Sequence, residues 1–166
     1  MAVVIPTFYA YLRNGEGEKS AIGNYSDGGG DFSFGPSEDF VCVVYRMIVT
    51  IEDRGVFDVA LYGNQVELAN GIEVYIDNAV DSERIDLLDG VPIKSNLGWG
   101  SLCYDIIYQD FGSGPNALLA RWTFAKAGDG LRLDGRRGER LHVKMRDDFR
   151  RLRDHKFMIQ GERIQR

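Results

Sequence analysis

Leu118-Leu119-Ala120-Arg121-Trp122-Thr123-Phe124-Ala125 is followed by Lys126-Ala127-Gly128-Asp129-Gly130 and then by Leu131-Arg132-Leu133. After Asp134 to Gly138 comes Glu139-Arg140-Leu141-His142-Val143-Lys144-Met145, and the last apolar run is Phe157-Met158-Ile159. Apolar residues alternate with charged ones at Leu131/Leu133 and again at Leu141/Val143/Met145. A period of two gives a strand one buried and one wet face. The glycine-rich intervals supply the positive φ angles that tight connections need. The stretch therefore predicts strand, turn, strand, turn, strand: the closing ladder of an antiparallel sheet.

The same grammar continues outward. Phe40 to Ile51 is nearly continuous, β-branched and aromatic, which predicts a central strand between two layers. Val3 to Leu12 is a further strand, with Pro6 marking an edge or a bulge. Phe32-Ser33-Phe34 alternates and is closed by Gly35-Pro36. Val66 to Gly71 ends in the hairpin signal Asn70-Gly71, ahead of Ile72-Glu73-Val74-Tyr75-Ile76. Shorter runs follow at Ile85 to Leu88, Val91 to Ile93 and Leu102 to Tyr108. Asn14 to Gly30 reads as a mobile, glycine-rich loop. Helical character is confined to one short segment near residues 146–152, where Asp147-Asp148 suits a helix start. Many short strands with glycine turns predict one all-β domain over residues 1–166, an antiparallel sandwich or barrel of jelly-roll-like type.

Composition sets limits on function. With 166 residues, 44% apolar content and 11% aromatics, the chain can bury a real core. No apolar run approaches the ~20 residues that span a bilayer, and the N-terminus lacks the basic and apolar regions of a signal peptide. Cys42 and Cys103 lie inside apolar runs without the paired spacing of a zinc site. They read as buried small hydrophobes in a reducing compartment, with a mutual disulfide as the alternative. The net charge of −5 divides unevenly: −11 over residues 1–131 and +6 over residues 132–166. Basic residues alternate with acids in the later part, which weakens a nucleic-acid reading.

Reactive constellations are sparse. His142 falls on the outward phase of its strand and His155 in a polar turn, and no Gly-x-Ser-x-Gly elbow accompanies them. Glu73 and Asp105 are the best pair of carboxylates for a glycosidase, but solvated strand faces account for both. Asp147-Asp148 and the Asp27-to-Asp31 loop offer oxygen ligands without EF-hand spacing. The glycine loops match no phosphate-binding fingerprint. Trp99, Tyr104 and Tyr108 could form an aromatic platform for sugars, against core or interface packing as the plainer reading. No catalytic residue, metal or cofactor is expected.

Several stretches carry a family likeness: Tyr45-Arg46-Met47-Ile48-Val49, Leu68-Ala69-Asn70-Gly71-Ile72, and Ile93-Lys94-Ser95-Asn96 before Trp99. Others are Ala120-Arg121-Trp122-Thr123-Phe124-Ala125-Lys126 and Asp147-Asp148-Phe149 leading to Phe157-Met158-Ile159-Gln160-Gly161. In this order the chain resembles small virion structural proteins of tailed double-stranded DNA bacteriophages over most of residues 40–161. The resemblance implies a non-enzymatic particle component assembled in the host cytoplasm, foremost a capsid decoration (cement) protein. Its partners would be the major capsid protein or another virion protein, and further copies of itself. It brings no active-site residues with it. Arg132, Arg136, Arg137 and Arg140 are the candidate partner face. The alternatives are a neck, tail or fibre-attachment component, and a carbohydrate-binding module or receptor-binding protein using Trp99, Tyr104 and Tyr108.

Overall fold

The computed structural model describes residues 3–13, 16–17, 21–22, 30–52, 69–87, 105–109, 117–124, 129–147 and 154–166. Twelve strands have defined bounds: β1 (Val3–Arg13), β2 (Glu16–Gly17), β3 (Ala21–Ile22), β4 (Gly30–Phe34), β5 (Phe40–Glu52) and β6 (Ile72–Asp77). They continue as β7 (Arg84–Asp86), β8 (Asp105–Gln109), β9 (Ala117–Thr123), β10 (Leu131–Asp134), β11 (Arg140–Met145) and β12 (Asp154–Gln165). The first sheet has the order β2-β1-β12-β5-β9-β8, with β10 also paired to β5. The second has the order β3-β4-β11-β6-β7. All the pairings are antiparallel.

Eight of these strands define the topology. Along the chain they run β1, β4, β5, β6, β7, β9, β11, β12, and they settle as β1-β12-β5-β9 in one layer and β4-β11-β6-β7 in the other. Later strands thus return between earlier ones, which is the double Greek key of a jelly roll. The all-β sandwich expected from the strand pattern is the fold, without closure into a barrel. The local pairing implied by a closing ladder is not. Strands β9 and β10 both lie along β5, with Thr123 opposite Arg46 and Leu131 opposite Val44. They lie end to end along the same side of β5. The chain then crosses to the second sheet for β11 and returns for β12.

Alternation explains the core. Leu141, Val143 and Met145 of β11, Ile72, Val74 and Ile76 of β6, and Phe32 and Phe34 of β4 are buried in the second sheet. Phe157 and Ile159 of β12 and Met47 and Val49 of β5 answer them from the first. The Phe32 and Phe157 rings stack with centroids 5.6 Å apart, joining the layers. On β5 the buried phase changes between Val44 and Met47, because Arg46 pairs with Gln160 and Val44 with Gly161, leaving Tyr45 as a bulge. The register of β1 against β12 also shifts, between Ile5 and Phe8, so Pro6 does sit at a bulge.

Smaller expectations also resolve. Phe40 to Ile51 becomes the long strand β5, flanked on both sides as its unbroken apolarity implied. The Asn14-to-Gly30 stretch contributes the short pairs of β2 with β1 and β3 with β4, so it is not all loop. His155 stands in β12 opposite Ile51 rather than in a turn. Of the helix expected near residues 146–152, Arg146 and Asp147 are not helical, and residues 148–153 lie outside the described residues. Among the described residues a one-turn 3₁₀ helix occurs at Gly135–Arg137, where the Asp134 carboxylate accepts from the Arg136 N–H and Gly138 closes the turn at φ +63°. Cys42 is a buried free thiol, so the disulfide alternative does not apply to it. Burial pushes that thiol up to about 11 against the lowering influence of Arg163. Cys103 and Val91 to Ile93 lie outside the described residues.

Gly161 tests the doubled bulge. A Cβ there would fall well inside contact distance of the Val43 carbonyl oxygen and against the Val44 Cα, both of them backbone atoms. Gly161→Ala is expected to destabilise the fold by about 3 kcal/mol, as overpacking against unyielding backbone does. Chemical denaturation of the variant beside the parent checks this, and equal midpoints would rule out the bulge as a close-packed site.

Candidate functional site

The outward phase of the second sheet is where charge and aromatic side chains converge. Strand β11 lies between β4 and β6, with His142 opposite Ser33 on one side and Tyr75 on the other. Alternation keeps Leu141 and Val143 in the core and turns Arg140, His142 and Lys144 outward. From β4, Asp31 places Oδ1 2.9 Å from His142 Nδ1. From β6, Asp77 places Oδ2 3.0 Å from Nε2. That second contact lies off the hydrogen-bond direction, so it acts through charge. The Tyr75 ring lies flat on the imidazole, at 4.8 Å and 4°. Burial and then the Asp31 charge push the Tyr75 phenol up.

A second tier extends the network. The Arg84 guanidinium lies 3.8 Å over the Tyr75 ring and pairs with Glu73 at 3.3 Å and Asp86 at 3.2 Å. Glu73 also meets Arg146 at 2.8 Å. Arg140 donates to Ser33 Oγ at 3.0 Å. Neighbouring strands thus alternate in sign, and strand pairing holds their long side chains in register. This is a stiff, ion-paired face. Both ring nitrogens of the histidine face carboxylates.

The expected site residues distribute as follows. Among the four arginines, Arg137 pairs with Asp81 at 3.0 Å, Glu83 at 3.6 Å and Glu139 at 3.4 Å, while Arg140 is turned to Ser33. Arg132 and Arg136 are exposed, and neither side chain has an ion pair among the described residues. Arg137 and Arg140 are thus engaged within the molecule. Glu73 and Asp105 stand in different sheets, on β6 and β8. Tyr108 belongs to β8 opposite Leu118. Trp99 and Tyr104 lie outside the described residues, as do Asp27 and Asp148.

Asp147 has a structural use. Its carboxylate accepts from the Gly71 N–H at 2.7 Å and from the Asn70 N–H at 3.1 Å. The Asn70 amide adds a bond to the Arg146 carbonyl at 3.3 Å. Asp147 thereby holds the entry to β6 against the exit of β11, and its oxygens are occupied by backbone donors rather than free for a cation. Among the described residues no group of three or more His, Cys, Asp or Glu is placed to hold a metal ion. No helix among them is long and apolar enough to cross a membrane.

The Asp31–His142–Asp77 cluster went unrecognised in the sequence because its members are separated by 111 positions on one side and 65 on the other. Outward phase alone implied an exposed histidine, but residue exposure is 8% because Tyr75 covers the ring. A signal did exist. Asp31, Asp77 and His142 all occupy the outward phase of alternating strands, though only strand order makes them neighbours.

Asp147→Ala would leave the buried Gly71 N–H and the Asn70 N–H without their acceptor. The expected loss is about 1–3 kcal/mol of stability, read as a lower midpoint in chemical denaturation. An unchanged midpoint would mean that water replaces the carboxylate at no cost. Comparison with protein-family models, with curated proteins and with solved structures finds no match for this chain.

Proposed function

We propose that this chain is a non-enzymatic virion structural protein, a capsid decoration protein that binds the shell as a homo-oligomer and clamps neighbouring capsomers. The observation that carries the reading is the strand order, since double-sheet jelly rolls are an architecture of viral capsid and lectin domains. A fold by itself hosts many functions, so the site has to agree with it. It does so in kind. The described outer face of the second sheet is a rigid lattice of paired charges, suited to holding a shape against a partner. Arg132 of β10 and Arg136 of the 3₁₀ turn are exposed, available to an acidic capsid surface. Contacts repeated over a symmetric shell turn modest affinity per site into strong retention.

The deciding experiment is the copy number of the protein in purified particles relative to the major capsid subunit. A comparable number is expected. A far lower number would overturn decoration in favour of a neck, tail or fibre-attachment position. Absence from particles would overturn the virion reading and direct attention to glycan binding through Trp99, Tyr104 and Tyr108. The Arg132→Glu/Arg136→Glu variant is expected to fold normally and bind capsids roughly tenfold more weakly, about the worth of two exposed ion pairs. Parent-like capsid binding would remove Arg132 and Arg136 from the docking face.

A further inference from the structure

His142 has surroundings that an ordinary surface histidine does not need, and their consequence is independent of the virion reading. Its side chain retains 10% exposure although it is on the outward phase. Asp31 of β4 stands at Nδ1, Asp77 of β6 at Nε2, and Tyr75 of β6 covers the ring. On β11 itself, the charged neighbours of the same phase are Arg140, turned to Ser33, and Lys144, which is exposed. Beyond Tyr75 stands Arg84, held by Glu73 and Asp86.

A neutral imidazole has one N–H and one lone pair. With a carboxylate oxygen about 3 Å from each nitrogen, the neutral ring sets its lone pair against an anion on one side. Only the imidazolium can donate to Asp31 and present a positive charge to both carboxylates. We propose that Asp31–His142–Asp77 is a proton-controlled staple: the protonated ring ties β4 and β6 to β11, and loss of the proton loosens both strands that flank β11. The staple is whole where imidazoles carry a proton and carboxylates do not, roughly pH 5–6. It weakens as the ring loses its proton, and it fails again in strong acid when the carboxylates protonate. Asp31 is the second residue of β4, so release acts on the strand directly after the glycine run at 28–30.

Thermal unfolding of the full chain at about pH 5.5 and pH 8, in the parent and in His142→Gln, tests the staple. The parent is expected to lose about 2–4 °C more in Tm than the variant between the two conditions. Asp31→Asn and Asp77→Asn should each shrink that excess. Ring nitrogen chemical shifts of His142 in the parent give a readout that needs no variant to fold: an imidazolium signal at pH 5.5 that changes by pH 8 is expected. Identical pH dependence in parent and His142→Gln would overturn the proposal. A single neutral tautomer persisting over that pH range would do so as well.

Discussion

The structure depends on the insertion of its last strand between two of its earliest. All twelve residues of β12 pair with β5, from Asp154 opposite Glu52 to Gln165 opposite Phe40. The other side of β12 pairs with β1, from Val3 opposite Gln165 to Arg13 opposite Lys156. Without β12 the first sheet would part into β1 with β2 on one side and β5 with β8, β9 and β10 on the other. Phe157, which stacks on Phe32, belongs to the same strand, so the contact between layers depends on this insertion too. The strand is secured at its end: the Arg166 N–H donates to the Asp39 carbonyl at 3.2 Å, and its guanidinium pairs with Asp134. That partner holds the Asp134 carboxyl below the usual carboxylate range. Pairings between residues so far apart in the chain make folding slow even though each closure costs little more entropy than a shorter one.

The same topology disposes of the charge asymmetry. Residues 132–166 are basic and residues 1–131 acidic, a division that invites a search for an external partner. Strand β11 carries part of the basic segment into the second sheet between β4 and β6, whose outward residues are largely acidic. His142 meets Asp31 and Asp77, Arg146 meets Glu73, and Arg137 at the 3₁₀ turn meets Asp81 and Glu83 near the β6–β7 connection. Much of the described asymmetry is closed within the molecule. Exposed pairs of this kind contribute little individually, about 0–1 kcal/mol; arrayed on a sheet, they fix side-chain positions and strand register more than they add stability. Arg132, Arg136 and Lys144 are exposed and have no ion pair among the described residues.

Strands were more legible than their partners. The alternation at Leu131/Leu133 and at Leu141/Val143/Met145 marked β10 and β11 correctly, because burial of one face imposes a period of two wherever a strand lies. Asn70-Gly71 shows the limit of local signals. The pair does mark a change of direction, with Gly71 at φ +86°. Its backbone donors, however, go to Asp147, more than seventy positions away, and not to a hairpin partner in the described structure. A turn dipeptide encodes dihedral angles; it does not encode which acceptor will be waiting. Asp147 shows the same limit, since its carboxylate is drawn to the distant donors of Asn70 and Gly71.

Sequence by itself determined that this is an all-β chain, where most of its strands lie, and which face of each turns to the core. Those properties are local, set by side-chain alternation, by β-branching and by where glycine permits a turn. Only the tertiary structure decided that β12 enters between β1 and β5, that β9 and β10 lie end to end along β5, and that His142 is enclosed by Asp31, Asp77 and Tyr75. Each of these is a pairing between strands far apart in the chain. Backbone hydrogen bonds are nearly indifferent to sequence, so the choice among pairings falls to the packing of all the buried faces at once. No single segment carries that information.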